Sequence, residues 1–189
     1  EKDRAGLLKD IEDSGRLDIS EPEEALKKID VMFTHGIFPE ELHKYFDEKD
    51  YSYCEQWKAL FNAYTDALVS SNQLDFGAML YFARRLMTTQ KRVARQLRTV
   101  FPYVCVDEFQ DTNLAQYKIL RLLAPNEKGN LFVVADDDQI IYQWNGADPK
   151  RLGELQDDYK PDIIQLPENY RCPAEIVEAA NTLISHNRQ

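Results

Sequence analysis

Short apolar runs separated by helix-length segments are the feature of this 189-residue sequence that most restricts its fold. Three such runs occur in the second half, at 103–106, 131–134 and 163–166. Strands that are apolar throughout are covered on both faces, and parallel neighbours need a crossover about as long as a helix. The runs therefore predict an α/β fold with a parallel sheet and flanking helices.

The first half of the sequence predicts helices. Ser20 and Ser52 are each followed three residues later by Glu, the pattern of a capping box. Asp75 is predicted to cap a further helix. Its apolar face is predicted to hold Phe76, Met79, Leu80, Ala83, Leu86 and Met87.

The charge is negative overall but unevenly distributed. Lys and Arg number 23 against 33 Asp and Glu, a net charge of −10, which excludes a globally basic nucleic-acid binder. Residues 76–106 nevertheless contain no acidic residue. Two interpretations stay open for this window: a solvated helical face, or a face that contacts phosphates. Its basic residues are Arg84, Arg85, Lys91, Arg92, Arg95 and Arg98.

No apolar run reaches the length of a membrane helix, and no signal-peptide pattern opens the sequence. The cysteines, Cys54, Cys105 and Cys172, are widely spaced and odd in number. They suggest a reducing compartment, and we expect a cytoplasmic protein without a membrane partner. Cys105 lies inside an apolar run and is expected to be a small buried residue.

Acidic residues follow the first two apolar runs directly. Asp107 and Glu108 follow one, and Asp136–Asp138 with Gln139 follow the other. In an open α/β sheet, ligands bind outside the carboxyl ends of the strands, so a shared metal and phosphate site is one interpretation. Loop caps without function are the alternative. Tyr142 and Trp144 follow, either as stacking residues on one side of an extended segment or as core.

Three segments in this order resemble the superfamily 1 helicases of the UvrD/Rep/PcrA family. They are Val-Asp-Glu-Phe-Gln-Asp-Thr-Asn at 106–113, Asp-Asp-Asp-Gln-Ile-Ile-Tyr-Gln-Trp-Asn-Gly-Ala at 136–147, and Glu-Asn-Tyr-Arg at 168–171. The resemblance is strong from about residue 74 onward and weak over 1–73. It implies a RecA-like parallel sheet, ATP and Mg²⁺ as cofactors, and 3′-to-5′ movement on single-stranded DNA with action at duplex junctions.

The resemblance also implies roles for individual residues. Asp107 would help to hold Mg²⁺, and Glu108 would activate the attacking water. Arg171 would stabilise the transferring phosphoryl group. The remaining roles are γ-phosphate sensing by Gln139, stacking near the adenine by Tyr170, coupling of the nucleotide site to moving parts by Gln110, Asp111 and Asp136, and DNA contact by Tyr142, Trp144 and Asn145.

The resemblance further implies a division into a helical accessory domain (1–97), the C-terminal part of a first motor domain (98–166) and the start of a second (167–189). The phosphate-binding pattern G-x-x-x-x-G-K-[ST] is absent from the sequence. We therefore expect an internal fragment that does not hydrolyse ATP alone.

Two departures from the family pattern, Ala135 in place of Gly and Asn145 in place of Arg, keep a non-catalytic DNA- or partner-binding module open as an alternative. The motor part of a helicase–nuclease complex is another. The oligomeric state is not predicted.

Overall fold

The computed structural model describes residues 2–15, 17–46, 51–125 and 130–186. Within these residues the chain forms α-helices, four short 3₁₀ turns and a two-stranded sheet. The 3₁₀ turns are Pro39–Lys44, Phe109–Asp111, Asp137–Gln139 and Gln143–Asn145. In chain order, the helices and strands are α1 Lys2–Asp13, α2 Pro22–His35, α3 Tyr51–Ser70, α4 Phe76–Thr89, α5 Lys91–Val100, β1 Tyr103–Val106, α6 Leu114–Leu123, β2 Asn130–Val133, α7 Lys150–Tyr159 and α8 Ala174–Ile184.

Helices α1 to α4 enclose the larger hydrophobic core, which we call the helical core. Phe33, Phe61 and Tyr81 form its centre. The Phe33 and Phe61 rings meet edge to face with centroids 5.0 Å apart, and Phe61 and Tyr81 do so at 4.9 Å. Ring pairs in this geometry are favourable beyond the apolar area that they bury. The predicted helical spacing in α3 is confirmed, because Leu60, Phe61, Tyr64 and Leu68 are all buried.

One of the three predicted helix caps is confirmed. The Asp75 carboxylate accepts a hydrogen bond from the Ala78 backbone N–H at 2.6 Å and so caps α4. The prediction for Ser52 was wrong, because α3 already begins at Tyr51. The prediction for Ser20 was also wrong, because the N-cap of α2 is Glu21 and no side chain caps it.

The apolar face predicted for α4 was wrong in part. Phe76, Met79 and Leu86 are exposed, whereas Ala78 and Tyr81 are buried. The helix turns its small residues inward, since a Cβ on Gly77 would meet the Phe33 ring at 2.4 Å. A pattern of large apolar residues does not detect a contact face that is made by small ones.

Strands β1 and β2 pair in parallel, as predicted, with Tyr103 opposite Asn130 and Val106 opposite Val133. One face of the sheet packs on a second, smaller core, which we call the sheet core. Its buried members are Phe109, Tyr117, Leu120 and Leu155. Val104, Val106, Leu131 and Val133 pack against them from the strands.

The other face of the sheet is exposed at Tyr103, Cys105 and Phe132, so the predicted burial of Cys105 was wrong. The predicted third strand also does not form: residues 163–166 have no ladder partner within the described residues, and all four are exposed. An apolar run indicates strand propensity, but pairing also requires a neighbouring strand. The described residues thus form an α/β fold with a small parallel sheet, not a complete RecA-like one.

The helical core joins the sheet core where α2 ends against α6. Gly36 takes the left-handed backbone conformation, with φ +55°, and a Cβ there would lie 3.0 Å from the Ala115 Cα. The Lys118 ammonium donates to the His35 and Gly36 carbonyls at 2.9 and 3.2 Å. Burial, reinforced by the nearby Arg84 guanidinium, lowers the pKa of Lys118 to about 8.

None of the helices in the described ranges combines the length and the apolar character needed to cross a bilayer.

Candidate functional site

The acidic segments leave the sheet side by side. The strand pairing continues past β2, because the Val134 N–H donates to the Val106 carbonyl at 2.8 Å. The Phe109 N–H then donates to the Val134 carbonyl at 3.0 Å. These bonds hold the segment 107–113, which follows β1, next to the segment 134–147, which follows β2. The carboxyl edge of the sheet is therefore one continuous surface.

Gln110 joins the two segments with a single buried side chain. It is only 2% exposed. Its Nε2 donates to the Glu108 carboxylate at 2.6 Å, and its Oε1 accepts from the Asp136 N–H at 3.0 Å. A primary amide both donates and accepts, so Gln satisfies both partners, whereas Glu could only accept. The amide fixes the position of the Glu108 carboxylate relative to the second segment.

The hydrogen-bond chain continues from Asp136 into the second segment. Its Oδ2 accepts from Gln139 Nε2 at 2.5 Å, and its Oδ1 accepts from the Asp138 N–H at 3.1 Å. Glu108, Gln110, Asp136 and Gln139 thus form one connected network. The carboxylate oxygens of Asp136, Asp137 and Asp138 also lie within 4.8 Å of one another, although exposed acidic groups often cluster without an ion.

The backbone at Glu108 adopts an uncommon conformation. Its φ is +49°, in the left-handed region that costs a non-glycine residue roughly 1–2 kcal/mol. The Glu108 N–H donates to the Asp107 carboxylate at 3.0 Å, which supports this turn. Strain of this kind clusters at functional sites. Both side chains reach solvent, and carboxylate oxygens are the ligands that Mg²⁺ prefers, so Asp107 suits a metal ligand.

Tyr142 and Trp144 form an exposed aromatic pair. Their ring centroids are 5.9 Å apart, and the two side chains are 42% and 80% exposed. The predicted extended backbone was wrong, because Gln143–Asn145 is a 3₁₀ turn that ends at Gly146 with φ +87°. Burial in a core, the alternative for this pair, does not occur in the structure.

The aromatic turn is held at both ends by the segment that follows β1. Asp136, before the turn, is bonded to Gln110, and Ala147, after it, forms a β-bridge with Asn113. Asn113 also caps α6 through a reciprocal pair of bonds with Gln116. Sequence analysis missed Asn113, although Asn followed three residues later by Gln is a capping-box pattern.

Two further residues from the predicted site lie nearby. Asp111 is partly buried, and its Oδ1 has no hydrogen-bond partner among the described residues. Asn145 is exposed, and its backbone N–H donates to the Tyr142 carbonyl at 2.9 Å.

Tyr170 and Arg171 do not join the network. The Tyr170 hydroxyl donates to Glu168, which raises the pKa of that tyrosine, and its side chain is exposed. The Arg171 N–H donates to Asn169 Oδ1 at 2.9 Å. In the described part of the chain, no hydrogen bond or ion pair connects either residue to the acidic segments. The structure therefore brings together the residues of 107–113 and 136–147, and leaves this pair apart.

Comparison with known proteins agrees with this arrangement. Residues 1–160 match the family model for the UvrD/REP helicase N-terminal domain. The ATP-dependent DNA helicase Rep of Buchnera aphidicola (subspecies Acyrthosiphon pisum) is 33% identical over 195 residues, covering 99% of this chain and 29% of the relative. DNA helicase II of Escherichia coli K12 is 32% identical over 189 residues, covering 98% and 26%.

The ATP-dependent DNA helicase PcrA of Leuconostoc citreum is 36% identical over 146 residues, covering 77% of this chain and 19% of the relative. The chain thus spans less than a third of the length of each of these relatives. The matched residues include both segments at the carboxyl edge of the sheet. This chain belongs to the UvrD/Rep helicase family, with residues 1–160 corresponding to the family's N-terminal domain.

Proposed function

We propose that this chain is part of an ATP-dependent DNA helicase or translocase that moves 3′ to 5′ on single-stranded DNA and acts at duplex junctions. The observation that carries the proposal is the Gln110 bridge, because it links Glu108 to the segment that bears Gln139 and the aromatic turn. The relatives named above are DNA helicases, two of them described as ATP-dependent.

ATP and Mg²⁺ are the cofactors of this proposal. Asp107 would hold the metal through a carboxylate oxygen, because its side chain reaches solvent and takes up only the Glu108 N–H. Bound Mg²⁺ would supply positive charge to the phosphate oxygens. Gln139, held by Asp136, would present its amide to the γ-phosphate.

Glu108 is the general base of the proposal. Its carboxylate would orient a water molecule and accept the proton that the water loses on attack. Gln110 would keep that carboxylate in place, since its Nε2 donates to Glu108 Oε2. General bases of this kind contribute about 10²–10⁴-fold to a rate.

DNA would bind at the aromatic turn. Trp144 would stack on a base, with Tyr142 and Asn145 beside it, and each stacked base is worth about 1–3 kcal/mol. Because Asp136 and Ala147 tie both ends of the turn to 107–113, movement at the nucleotide would be felt at the DNA contact. Asp111 and Asp136 would carry this coupling.

Arg171 would stabilise the transferring phosphoryl group from a second motor domain, and Tyr170 would stack near the adenine. This assignment follows the division into a helical domain (1–97), part of a first motor domain (98–166) and the start of a second (167–189). The 189 residues contain no G-x-x-x-x-G-K-[ST], so we propose that they do not hydrolyse ATP by themselves. A protein that acts on DNA would work in the cytoplasm of a bacterial cell.

The test is DNA-stimulated ATP hydrolysis by the protein at its full encoded length. Glu108→Gln should lower kcat by about 10²–10⁴-fold, with Asp157→Asn as an exposed acidic control that leaves it unchanged. Trp144→Ala should raise the DNA concentration needed for half-maximal stimulation by about 5–150-fold, with Tyr45→Ala as the exposed aromatic control. A Glu108→Gln enzyme that turns over within threefold of wild type would contradict the proposal.

A further inference from the structure

Helix α5 carries four cations on the side that faces away from the protein. Lys91, Arg95 and Arg98 lie at spacings of four and three residues, which places them on one face of a helix, and Arg92 lies beside them. Lys91, Arg92 and Arg95 are exposed. The opposite side of the helix is apolar and packs inward, with Ala94 only 2% exposed. We call these four residues the α5 basic face.

The protein does not neutralise this face internally. Arg84 and Arg85, the other cations of the acid-free window, pair with Glu41 and Glu40 of the Pro39–Lys44 turn. Within the described ranges, no ion pair involves any of the four residues of the α5 basic face. The Arg98 Nε is buried without a hydrogen-bond partner among the described residues, so no protein acceptor takes this donor. The acid-free window therefore divides into an internal pair of arginines and an outward-facing set.

The charge of the whole chain makes this face selective. The chain carries −10 overall, so a +4 surface on one helix is an exception that attracts polyanions while the rest of the protein repels them. Three of the four cations are arginines, whose planar guanidinium matches phosphate oxygens in pairs. This composition favours phosphate over carboxylate partners.

The length of the face fits a nucleic-acid strand. Lys91 and Arg98 are seven residues apart, about 10 Å along the helix axis at ~1.5 Å per residue. B-form DNA places a phosphate about every 3.4 Å along the axis of each strand, so the face covers about three phosphates. Contacts of this kind fix position without selecting sequence.

We propose that the α5 basic face is a second nucleic-acid contact, which binds the sugar–phosphate backbone without sequence preference and is separate from the aromatic turn. The inference rests on the proposed function only for the choice of nucleic acid as the polyanion. It does not involve ATP hydrolysis, so the two can fail independently.

The test measures binding of the full-length protein, without nucleotide, to labelled 20-nucleotide single strands and 20-base-pair duplexes of two unrelated sequences. Fluorescence anisotropy is recorded from 50 to 200 mM salt. Combined replacement of Lys91, Arg92 and Arg95 by Gln should weaken binding at least tenfold at 50 mM salt. It should also reduce the slope of log affinity against log salt by about 2–3, since each phosphate contact contributes about 0.7 to 0.9.

The matched control replaces Lys9, Lys27 and Lys44, three exposed lysines outside the α5 basic face, by Gln, which changes the net charge equally. This control should keep the wild-type slope. Combined Arg92→Lys and Arg95→Lys should also keep most of the slope, because the charge remains. Trp144→Ala should lower affinity and leave the slope unchanged, which separates the two contacts. Thermal melting of each variant reports whether it is folded.

Two results would overturn the inference. In the first, both Gln triples change affinity and slope equally, so that only net charge matters. In the second, polyglutamate or anionic phospholipid vesicles displace DNA as well as unlabelled DNA does at equal charge, so that the face is not a nucleic-acid contact. Loss of DNA-stimulated ATP hydrolysis in Glu108→Gln bears on the proposed function alone.

Discussion

The helical core and the sheet core are built differently. The helical core is closed by α1 to α4 around rings such as Phe33 and Phe61, which are almost completely buried. The sheet core covers only one face of β1 and β2, and Phe132 on the other face is 62% exposed. The candidate site belongs to the second, less enclosed region. There, buried polar side chains such as Gln110 hold the segments in place, whereas packing does so in the first.

This contrast indicates where order in the site comes from. Apolar burial is non-directional and tolerates small shifts, whereas a hydrogen bond fixes both distance and angle. Glu108 and Gln139 are connected through Gln110 and Asp136 by bonds of 2.5 to 3.0 Å. The helical core thus supplies stability, and the network at the sheet edge supplies geometry.

Matched Phe→Ala substitutions in the two regions should give the largest difference. Phe61→Ala removes a fully buried ring from the helical core and should lower the free energy of unfolding by about 3–5 kcal/mol. Phe132→Ala on the exposed face of β2 should change it by less than about 0.5 kcal/mol. Urea denaturation of the 189-residue chain measures both. Equal losses would show that the two faces are buried alike and end the comparison.

Gln110→Ala tests the polar network of the sheet region. It leaves the Glu108 carboxylate and the Asp136 N–H without their partner, a cost of about 1–3 kcal/mol. Hydrogen exchange at the Asp136 amide should accelerate, while exchange in α3 stays unchanged. Gln143→Ala, in the exposed aromatic turn, is the control. Unchanged exchange at Asp136 would mean that the bridge does not hold the second segment.

The smallest effect concerns the joint between the two regions. The pKa of Lys118 is lowered to about 8 from its ordinary 10.5, so between these values the unfolded chain binds more protons than the folded one. Stability should therefore rise with pH from about 8 to 10. Lys118 is only half buried, so screening limits the gain to less than about 1 kcal/mol.

Comparison of Lys118→Met with Lys58→Met by denaturation at several pH values isolates this contribution. The first variant should lose the pH dependence, and the second should keep it. The series stops at pH 10, because burial raises the pKa of Tyr64 to about 12 and ionisation of tyrosines in the unfolded chain then lowers stability. A wild-type stability that falls between pH 8 and 10 would contradict the expectation.

Much of this architecture could be predicted from local patterns. The apolar runs at 103–106 and 131–134 predict both strands to within one residue, and Asp75 predicts the start of α4. The acids after each strand lie at one edge of the sheet because parallel strands end together. These features depend on backbone periodicity and topology, which short segments encode.

Features that depend on three-dimensional neighbours could not be predicted in this way. The inward face of α4 is set by small residues, and the exposure of Cys105 depends on what lies across the sheet. The Gln110 bridge requires two loops to meet around one amide, which neither loop encodes alone. The roles of Tyr170 and Arg171 are still predictions.

The end of α2 limits which sequences this fold accepts. Residue 36 combines a left-handed backbone with a neighbour 3.0 Å from where a Cβ would stand, and that neighbour, Ala115, is fully buried. Lys118 and Arg84 both donate to its carbonyl. A variant library should therefore accept almost nothing but glycine at 36, and only the smallest side chains at 115. Substitutions at either position would act as wedges between the two cores.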